Sequence, residues 1–401
     1  MDKQDTFVII GGGIAGLSAA ESIRKQSADA RIVIIGKEPA PPYNRTMLTK
    51  MPLDVTASKA ESVKEDAWFT QNNVELLSGK AAISLDTNAK AVTLDDGSSI
   101  NYGKCVLATG AESMALPITG INKAGVVGLR TAQDIYAIRQ ILIGSKRAVV
   151  IGGGLIGIEI AWELKKAGAY VTVLEGADYL MKRVIDEETA VILQDMMEQR
   201  GIHVVTGAKI KAVEGDGSVE AVSLEDGSRY EAGLVIVAAG ISPNKQIAQE
   251  AALTVGRSIV VDSFMRTSAE DVYACGDCAE YQGMNVGTWI QAENQGRIAG
   301  TNATGGSMQY SPESPSLFVN ALGTSLFCIG DMGKAEGVTY ETRTIKGNSE
   351  SESNLINPKP GGFTYEKYYY TGGKTVGAAL IGNLSKIKAV KELVKNKEDK
   401  A

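Results

Sequence analysis

Apolar and polar positions along the chain fall into one layout that occurs twice. Residues 6–10 (Thr-Phe-Val-Ile-Ile) form an apolar run of β type that meets Gly11-x-Gly13-x-x-Gly16, then a helical stretch to Arg24, then a second apolar run, Arg31–Ile35. Residues 147–151 (Arg-Ala-Val-Val-Ile) meet Gly152-x-Gly154-x-x-Gly157, a helical stretch to Ala167, and the run Tyr170–Leu174. Each predicts a complete βαβ unit. Short strands ending at turn signals follow both, Ala91–Leu94 before Asp95-Asp96-Gly97 and Val219–Leu224 before Glu225-Asp226-Gly227. Both then lead to an apolar run closed by glycine, Cys105–Gly110 and Leu234–Gly240.

The repeat therefore covers whole domains. It predicts an α/β fold with two Rossmann-like dinucleotide-binding domains: residues 1–112 and 243–307 form the first, residues 113–242 are inserted as the second, and an α+β domain occupies 308–401. In that last region Lys346–Gly362 is polar and rich in Gly, Pro and Ser, which predicts a loop. Phe363–Ile381 reads as a hairpin turning at Thr371-Gly372-Gly373, and a lysine-rich helix is expected from Leu384 onward.

Composition narrows the function. With 401 residues, 44% hydrophobic and 22% charged, the chain has the make-up of a globular protein of two or three domains. The longest apolar stretches, Ala148–Ile158 and Leu234–Ile241, are too short to span a membrane, and Phe7–Ile10 is shorter than a signal-peptide core. Four scattered cysteines (Cys105, Cys275, Cys278, Cys328) fit a reducing compartment, so a cytoplasmic location is expected. A net charge of −6 argues against nucleic acid as the main partner. From Glu341 onward, however, 11 Lys plus Arg face 7 Asp plus Glu. This basic end reads first as a solvated helix face and tail, with a docking patch for an acidic partner as the alternative.

The glycine pattern carries chemistry because its first glycine permits the tight turn, its second lets backbone approach a pyrophosphate, and its third lets helix and strand pack closely. The helix N-terminus then offers free N–H groups and the positive end of its dipole to the phosphates. Two such motifs in strand–turn–helix context predict two bound dinucleotides, one on Gly11, Gly13, Ile14, Ala15 and Gly16, the other on Gly152, Gly154, Leu155, Ile156 and Gly157. In the second unit the strand ends at Glu175, whose carboxylate suits a ribose 2′-hydroxyl and repels a 2′-phosphate, so NADH is expected over NADPH. Lys182 and Arg183 lie close behind it. In the first unit Glu38 is the corresponding candidate.

The stretch Thr267–Asp277, ending Val-Tyr-Ala-Cys-Gly-Asp, resembles the second FAD-binding motif of the pyridine-nucleotide flavoprotein reductases, whose fold is glutathione-reductase-like. Ala108-Thr109-Gly110, Arg130-Thr131 and Ala238-Ala239-Gly240 extend the resemblance over nearly the whole chain. Pro42-Tyr43-Asn44-Arg45-Thr46-Met47-Leu48-Thr49-Lys50 is similar to the Pro-Tyr-x-Arg-Pro-x-Leu-Ser-Lys segment of ferredoxin reductases, NADH:rubredoxin reductases and the flavin-binding part of nitrite reductase large subunits. It departs from that pattern at Thr46 and Thr49. The resemblance implies FAD as the first cofactor, held by the first glycine motif, Glu38, Arg45 on the pyrophosphate, Ala82, Ala108, Thr109, Gly110, Arg130, Asp277 on the ribityl chain, and Trp289. It implies NADH on the second motif with Glu159, Glu175, Arg183 and Gly240. Lys50 would sit near flavin N5, paired with Glu159, as the catalytic pair. The implied activity is electron transfer from NADH through FAD to a small acidic electron-carrier protein of rubredoxin or ferredoxin type, by a monomer or homodimer, with no membrane or nucleic-acid partner. A peroxide-forming NADH oxidase and a redox-sensing NADH-binding flavoprotein are the alternatives.

Absences sharpen this expectation. Disulfide reductases of the superfamily carry Cys-x4-Cys after the first βαβ unit, whereas this chain has no cysteine before Cys105. Cys275-Gly-Asp-Cys278 is a single C-x-x-C pair, half a zinc site at most, and it encloses Asp277, so no metal is expected. His203, the sole histidine, is expected to be structural, since hydride transfer to flavin needs no general base. Asp95-Asp96 and Glu187-Glu188 read as turn and helix-start residues.

Overall fold

The computed structural model describes residues 6–53, 60–285, 287–348 and 362–397. Strand β1 (Thr6–Ile10), helix α1 (Ile14–Gln26) and strand β2 (Arg31–Gly36) make the first βαβ unit, and the short helix α2 (Asp66–Gln71) leads to β3 (Val74–Ser78). The strands β4 (Ala82–Asp86), β5 (Ala91–Leu94) and β6 (Ser99–Asn101) form an antiparallel meander before β7 (Lys104–Leu107) and β8 (Ala111–Ser113). Then β9 (Val126–Gly128) and α3 (Ala132–Gly144) precede the second βαβ unit, β10 (Arg147–Ile151), α4 (Leu155–Lys166) and β11 (Tyr170–Leu174). Helix α5 (Glu187–Glu198) leads to β12 (Ile202–Val205), and a second meander of β13 (Ile210–Glu214), β14 (Ala221–Leu224) and β15 (Arg229–Glu231) leads to β16 (Leu234–Val237). Strand β17 (Ile241–Pro243), helix α6 (Gln246–Glu250), strands β18 (Ile259–Val261), β19 (Val272–Ala274) and β20 (Ala279–Tyr281), and helix α7 (Trp289–Ala303) follow. The C-terminal part holds β21 (Ser316–Ala321), β22 (Thr324–Gly330), β23 (Glu341–Asn348), β24 (Phe363–Thr371), β25 (Lys374–Ile381) and α8 (Ile387–Asn396).

The chain divides into two compact units. The first, Met1–Met47, Lys59–Glu112 and Ile241–Pro312, is built on the parallel sheet β19-β7-β1-β2-β3. Its central strands are buried on both faces, so β1 and β2 read as continuous apolar runs instead of alternating ones. Helices α1 and α7 pack with almost no separation: a Cβ added at Gly296 would lie 2.1 Å from the Ala15 carbonyl oxygen, and one at Gly300 would lie 2.3 Å from that of Ala19.

The second unit, Leu48–Ser58, Ser113–Gly240 and Glu313–Ala401, contains the parallel sheet β12-β11-β10-β16-β9 and the antiparallel sheet β21-β22-β25-β24-β23. Helix α8 covers the antiparallel sheet through a core of its own, in which Val390 and Val394 meet Phe327, Ile329, Ala378 and Leu380.

This grouping departs from the expected domain limits chiefly at Leu48–Ser58 and in the C-terminal part. The segment Leu48–Ser58, expected with the first domain, belongs to the second unit, because Thr49 and Lys50 bond Glu159 and Pro52 accepts from Arg139. The C-terminal part, expected as a domain from residue 308, groups with the inserted domain from Glu313. The loop expected over Lys346–Gly362 also needs correction at its start. Lys346, Gly347 and Asn348 end β23, paired with Tyr365, Thr364 and Phe363. All eight residues of β23 are exposed, so no apolar alternation marked it as a strand. The rest of that expected loop, 349–361, and the tail beyond Lys397 lie outside the described residues.

Candidate functional site

The two glycine turns have matching geometry. Gly11 has φ +129°, and a Cβ there would lie 2.0 Å from the Ala108 carbonyl oxygen, so the position admits no side chain. Gly152 repeats this at φ +111°, with the Ala238 carbonyl oxygen 2.5 Å from the would-be Cβ. The third glycines seat helix on strand: Cβ atoms at Gly16 and Gly157 would approach the carbonyl oxygens of Gly11 and Gly152 to 2.1 and 1.9 Å. The middle glycines differ. Nothing lies within 4 Å of a Cβ at Gly13 or Gly154, so protein packing does not explain their lack of a side chain, whereas a pyrophosphate approaching the backbone does. Gly13 and Gly154 are also the N-caps of α1 and α4, and neither helix has a side-chain cap. The first N–H groups of both helices are thus left for a ligand, and both turns fit a dinucleotide.

In the first unit Glu38, just beyond β2, takes 2.6 Å hydrogen bonds from Tyr43 and Arg45, so the two candidate residues Glu38 and Arg45 are brought together as an ion pair. The Ala108-Thr109-Gly110 turn is clamped by Asn244: Thr109 Oγ1 donates to the Asn244 carbonyl at 2.6 Å, and Asn244 Nδ2 returns a bond to the Thr109 carbonyl at 2.9 Å. Asp277 sits in a 3-10 turn after β19, where buried Gln295 of α7 accepts from the Gly276 N–H at 2.8 Å and Asn285 donates to the Asp277 carbonyl at 2.6 Å. Ala82 opens β4 and Trp289 opens α7. Arg130, expected with these residues, belongs to the second unit, where its N–H bonds the Asp134 carboxylate just before α3.

In the second unit Glu175 follows β11 and folds back over the glycine turn, accepting from the N–H of Gly153 at 2.6 Å and of Ala177 at 2.7 Å. Lys182 pairs with Asp178, Arg183 is exposed, and Gly240 follows β16 with φ +120°. The densest constellation surrounds Glu159 on the first turns of α4. Its side chain is only 2% exposed, yet Lys50 Nζ lies 3.5 Å from Oε1, the Asn320 N–H donates to Oε1 at 3.2 Å, and the Thr49 hydroxyl donates to Oε2. Burying a carboxylate is costly unless several donors meet it, and this set does.

Asn244, Gln295, Thr49 and Asn320 were absent from the sequence expectations. Thr49 stands out in the sequence only as a departure from the Pro-Tyr-x-Arg-Pro-x-Leu-Ser-Lys pattern beside Lys50. Asn320 acts through its backbone and leaves no side-chain signal.

All four cysteines are buried, and burial pushes each thiol up, that of Cys328 to about 12. Among the described residues no group of His, Cys, Asp and Glu could hold a metal ion, and no helix is long and apolar enough to cross a membrane. His203 lies on β12, exposed, with its ring 6.1 Å from that of Tyr230.

Comparison with known proteins places this geometry. The family described as pyridine nucleotide-disulphide oxidoreductase matches residues 5–296. The chain is 31% identical over 397 residues to nitrite reductase [NAD(P)H] of Bacillus subtilis (strain 168), covering 98% of this chain and 47% of that protein. It is 34% identical over 332 residues to rubredoxin-NAD(+) reductase of Pseudomonas putida, covering 81% and 86%. The solved NAD-dependent persulfide reductase from A. fulgidus superposes with a TM-score of 0.89 at 29% identity, over 98% of this chain and 77% of that one. The chain spans about half the length of the first curated relatives it matches. With two dinucleotide turns of one geometry and a family match over most of its length, the chain belongs to the pyridine nucleotide-disulphide oxidoreductases, a family of flavin- and NAD(H)-dependent reductases.

Proposed function

We propose that this protein oxidises NADH with a bound FAD and passes the electrons to a small acidic electron-carrier protein of rubredoxin or ferredoxin type, rubredoxin foremost. One observation carries the reading: two open glycine turns coexist with cysteines that are all buried. With every thiol buried, these residues offer no thiol relay beyond the two dinucleotides, so the electrons leave for an acceptor outside them, which fits a carrier protein. The similarity to rubredoxin-NAD(+) reductase supports the choice of carrier.

Bound FAD would supply the conversion between two-electron oxidation of NADH and a one-electron carrier that NADH serves poorly. The residues divide the remaining work. Gly11, Gly13, Ile14, Ala15 and Gly16 would present the N-terminus of α1 to the FAD pyrophosphate, with Arg45, Ala108, Thr109, Gly110 and Asp277 as further ligands and Glu38 on the ribose. Gly152, Gly154, Leu155, Ile156 and Gly157 do the same for NADH, and Glu175 discriminates against a 2′-phosphate by charge. Glu159 orients Lys50, whose ammonium supplies a fixed positive charge where negative charge accumulates during transfer.

Anaerobic stopped-flow tests the reading. The FAD-loaded protein is first reduced with NADH, then mixed in separate shots with rubredoxin, ferredoxin or air-saturated buffer. Fast reoxidation by a carrier with slow reoxidation by air is expected. Fast reoxidation by air alone would replace the proposal with an NADH oxidase.

A further inference from the structure

Segment 176–186 joins Glu175 to α5 and lies directly on the second glycine turn. The Met181 N–H bonds the Gly153 carbonyl at 3.0 Å, and Leu180 fills the space beside Gly153, its Cδ2 2.4 Å from where a Cβ would stand. Leu180 and Ile185 are fully buried. Met181 has φ +53°, a left-handed conformation that a non-glycine residue holds only when its surroundings impose it.

The far end of the segment is held by the C-terminal sheet. Lys367 of β24, its side chain only 7% exposed, donates to both Asp186 and Glu188, the latter at 2.6 Å. Asp186 is the N-cap of α5 and accepts from the Thr189 N–H at 3.0 Å, while Glu188 is 3.2 Å from Lys346 of β23. Buried Thr189 lies 3.3 Å from the hydroxyl of Tyr365, one turn of the pleat from Lys367 on the same strand. A second tether meets the segment midway: Lys334 donates to the Tyr179 hydroxyl at 2.7 Å and stands over its ring at 5.0 Å.

We propose that Lys367 is a positioning residue for NADH: by clamping Asp186 and Glu188 at the start of α5, it fixes segment 176–186 against Gly153 and so presets Glu175 for the adenosine ribose. The inference rests on the reading of this unit as the NADH site. A lysine serving only to stabilise the C-terminal sheet would need one carboxylate, and it would not need that carboxylate to be the cap of the helix that ends the cofactor segment. Here a single buried ammonium holds two carboxylates of that helix start, and the same strand adds a hydroxyl contact to the next residue.

The test is calorimetric titration of the FAD-loaded full chain with ADP-ribose, which carries the pyrophosphate and adenosine ribose but cannot reduce the flavin. Lys367→Met is expected to weaken ADP-ribose roughly tenfold, by loosening a pre-set geometry. It should speed amide exchange across 176–186 and raise the apparent KM for NADH, with the limiting rate of flavin reduction unchanged. Lys367→Arg should restore most of the affinity. Glu188→Gln, at a half-exposed position that folding tolerates, should weaken ADP-ribose about threefold if Lys367→Met proves too unstable to purify. Glu175→Ala is the reference. If it weakens ADP-ribose while Lys367→Met and Glu188→Gln leave the affinity and the exchange of 176–186 unchanged, the positioning role is overturned. If Glu175→Ala has no effect either, the assignment of NADH to this unit has failed instead.

Discussion

Glu159 is a carboxylate at 2% exposure whose two oxygens are met by a lysine, a threonine hydroxyl and a backbone N–H. Lys50 is a quarter exposed and is the cation paired with this buried carboxylate, so its removal costs both chemistry and stability. In the FAD-loaded protein Lys50→Met is expected to slow stopped-flow flavin reduction by NADH about 10- to 100-fold, with a lowered melting temperature because buried Glu159 loses its cation. An unchanged rate would remove Lys50 from the mechanism. Although Lys50 alone also reads as a surface lysine at a helix end, its pairing with Glu159 was legible through the family resemblance of the Pro-Tyr-x-Arg segment. Their supports were not. Thr49 reads as an ordinary polar residue, and Asn320 contributes an atom that every residue except proline possesses.

Elements show the same division. The two βαβ units were legible because buried parallel strands are apolar throughout and the glycine spacing is unmistakable, whereas β23, exposed along its full length, carries no such pattern, and its last three residues fall in the expected loop. The glycine turns make opposite predictions for the same substitution. Gly11→Ala forces a Cβ to within 2.0 Å of a carbonyl oxygen at φ +129°, so it should destabilise the fold by about 3 kcal/mol or more, read in denaturant unfolding. Gly13→Ala meets open space, so it should fold normally and lose FAD affinity instead, read as the fraction of flavin retained on gel filtration.

Helix α5 carries a pH signature. Burial alone would raise the carboxyl of Asp186, but hydrogen bonds from Lys367 and Thr189 overcome it and hold the group below its usual 3.8. The Lys367 bond also holds Glu188 below its usual 4.5. Groups lowered on folding stabilise fully above their unfolded values and lose that contribution as pH falls through the folded ones. The gap in melting temperature between the parent and Lys367→Met should therefore be full at pH 7 and close below about pH 4. A gap independent of pH would mean that the clamp acts by packing alone.

At the scale of the whole molecule, the repeat predicts two dinucleotide-binding domains but is silent on the company kept by their ends. Lys367 reaches Asp186 across 181 residues, a contact that no local pattern announces, and the segment carrying Lys50 leaves the first unit for the second. The burial of all four thiols is likewise a property of the assembled fold, although their scatter already argued against a disulfide framework. Native protein should resist alkylation by iodoacetamide over an hour, and the same protein in guanidinium should take up four labels by mass spectrometry. Loss of NADH oxidation on native alkylation would bring thiol chemistry back.

Strand β21 is the edge of its sheet, and the outward N–H of Asn320 is spent on Glu159. Because that donor belongs to the main chain, the exposed side chain at 320 is free to drift: in a library of all twenty residues at this position, function should survive nineteen and fail at proline. The buried carboxylate of Glu159 is thus insured against point mutation at one of its three supports.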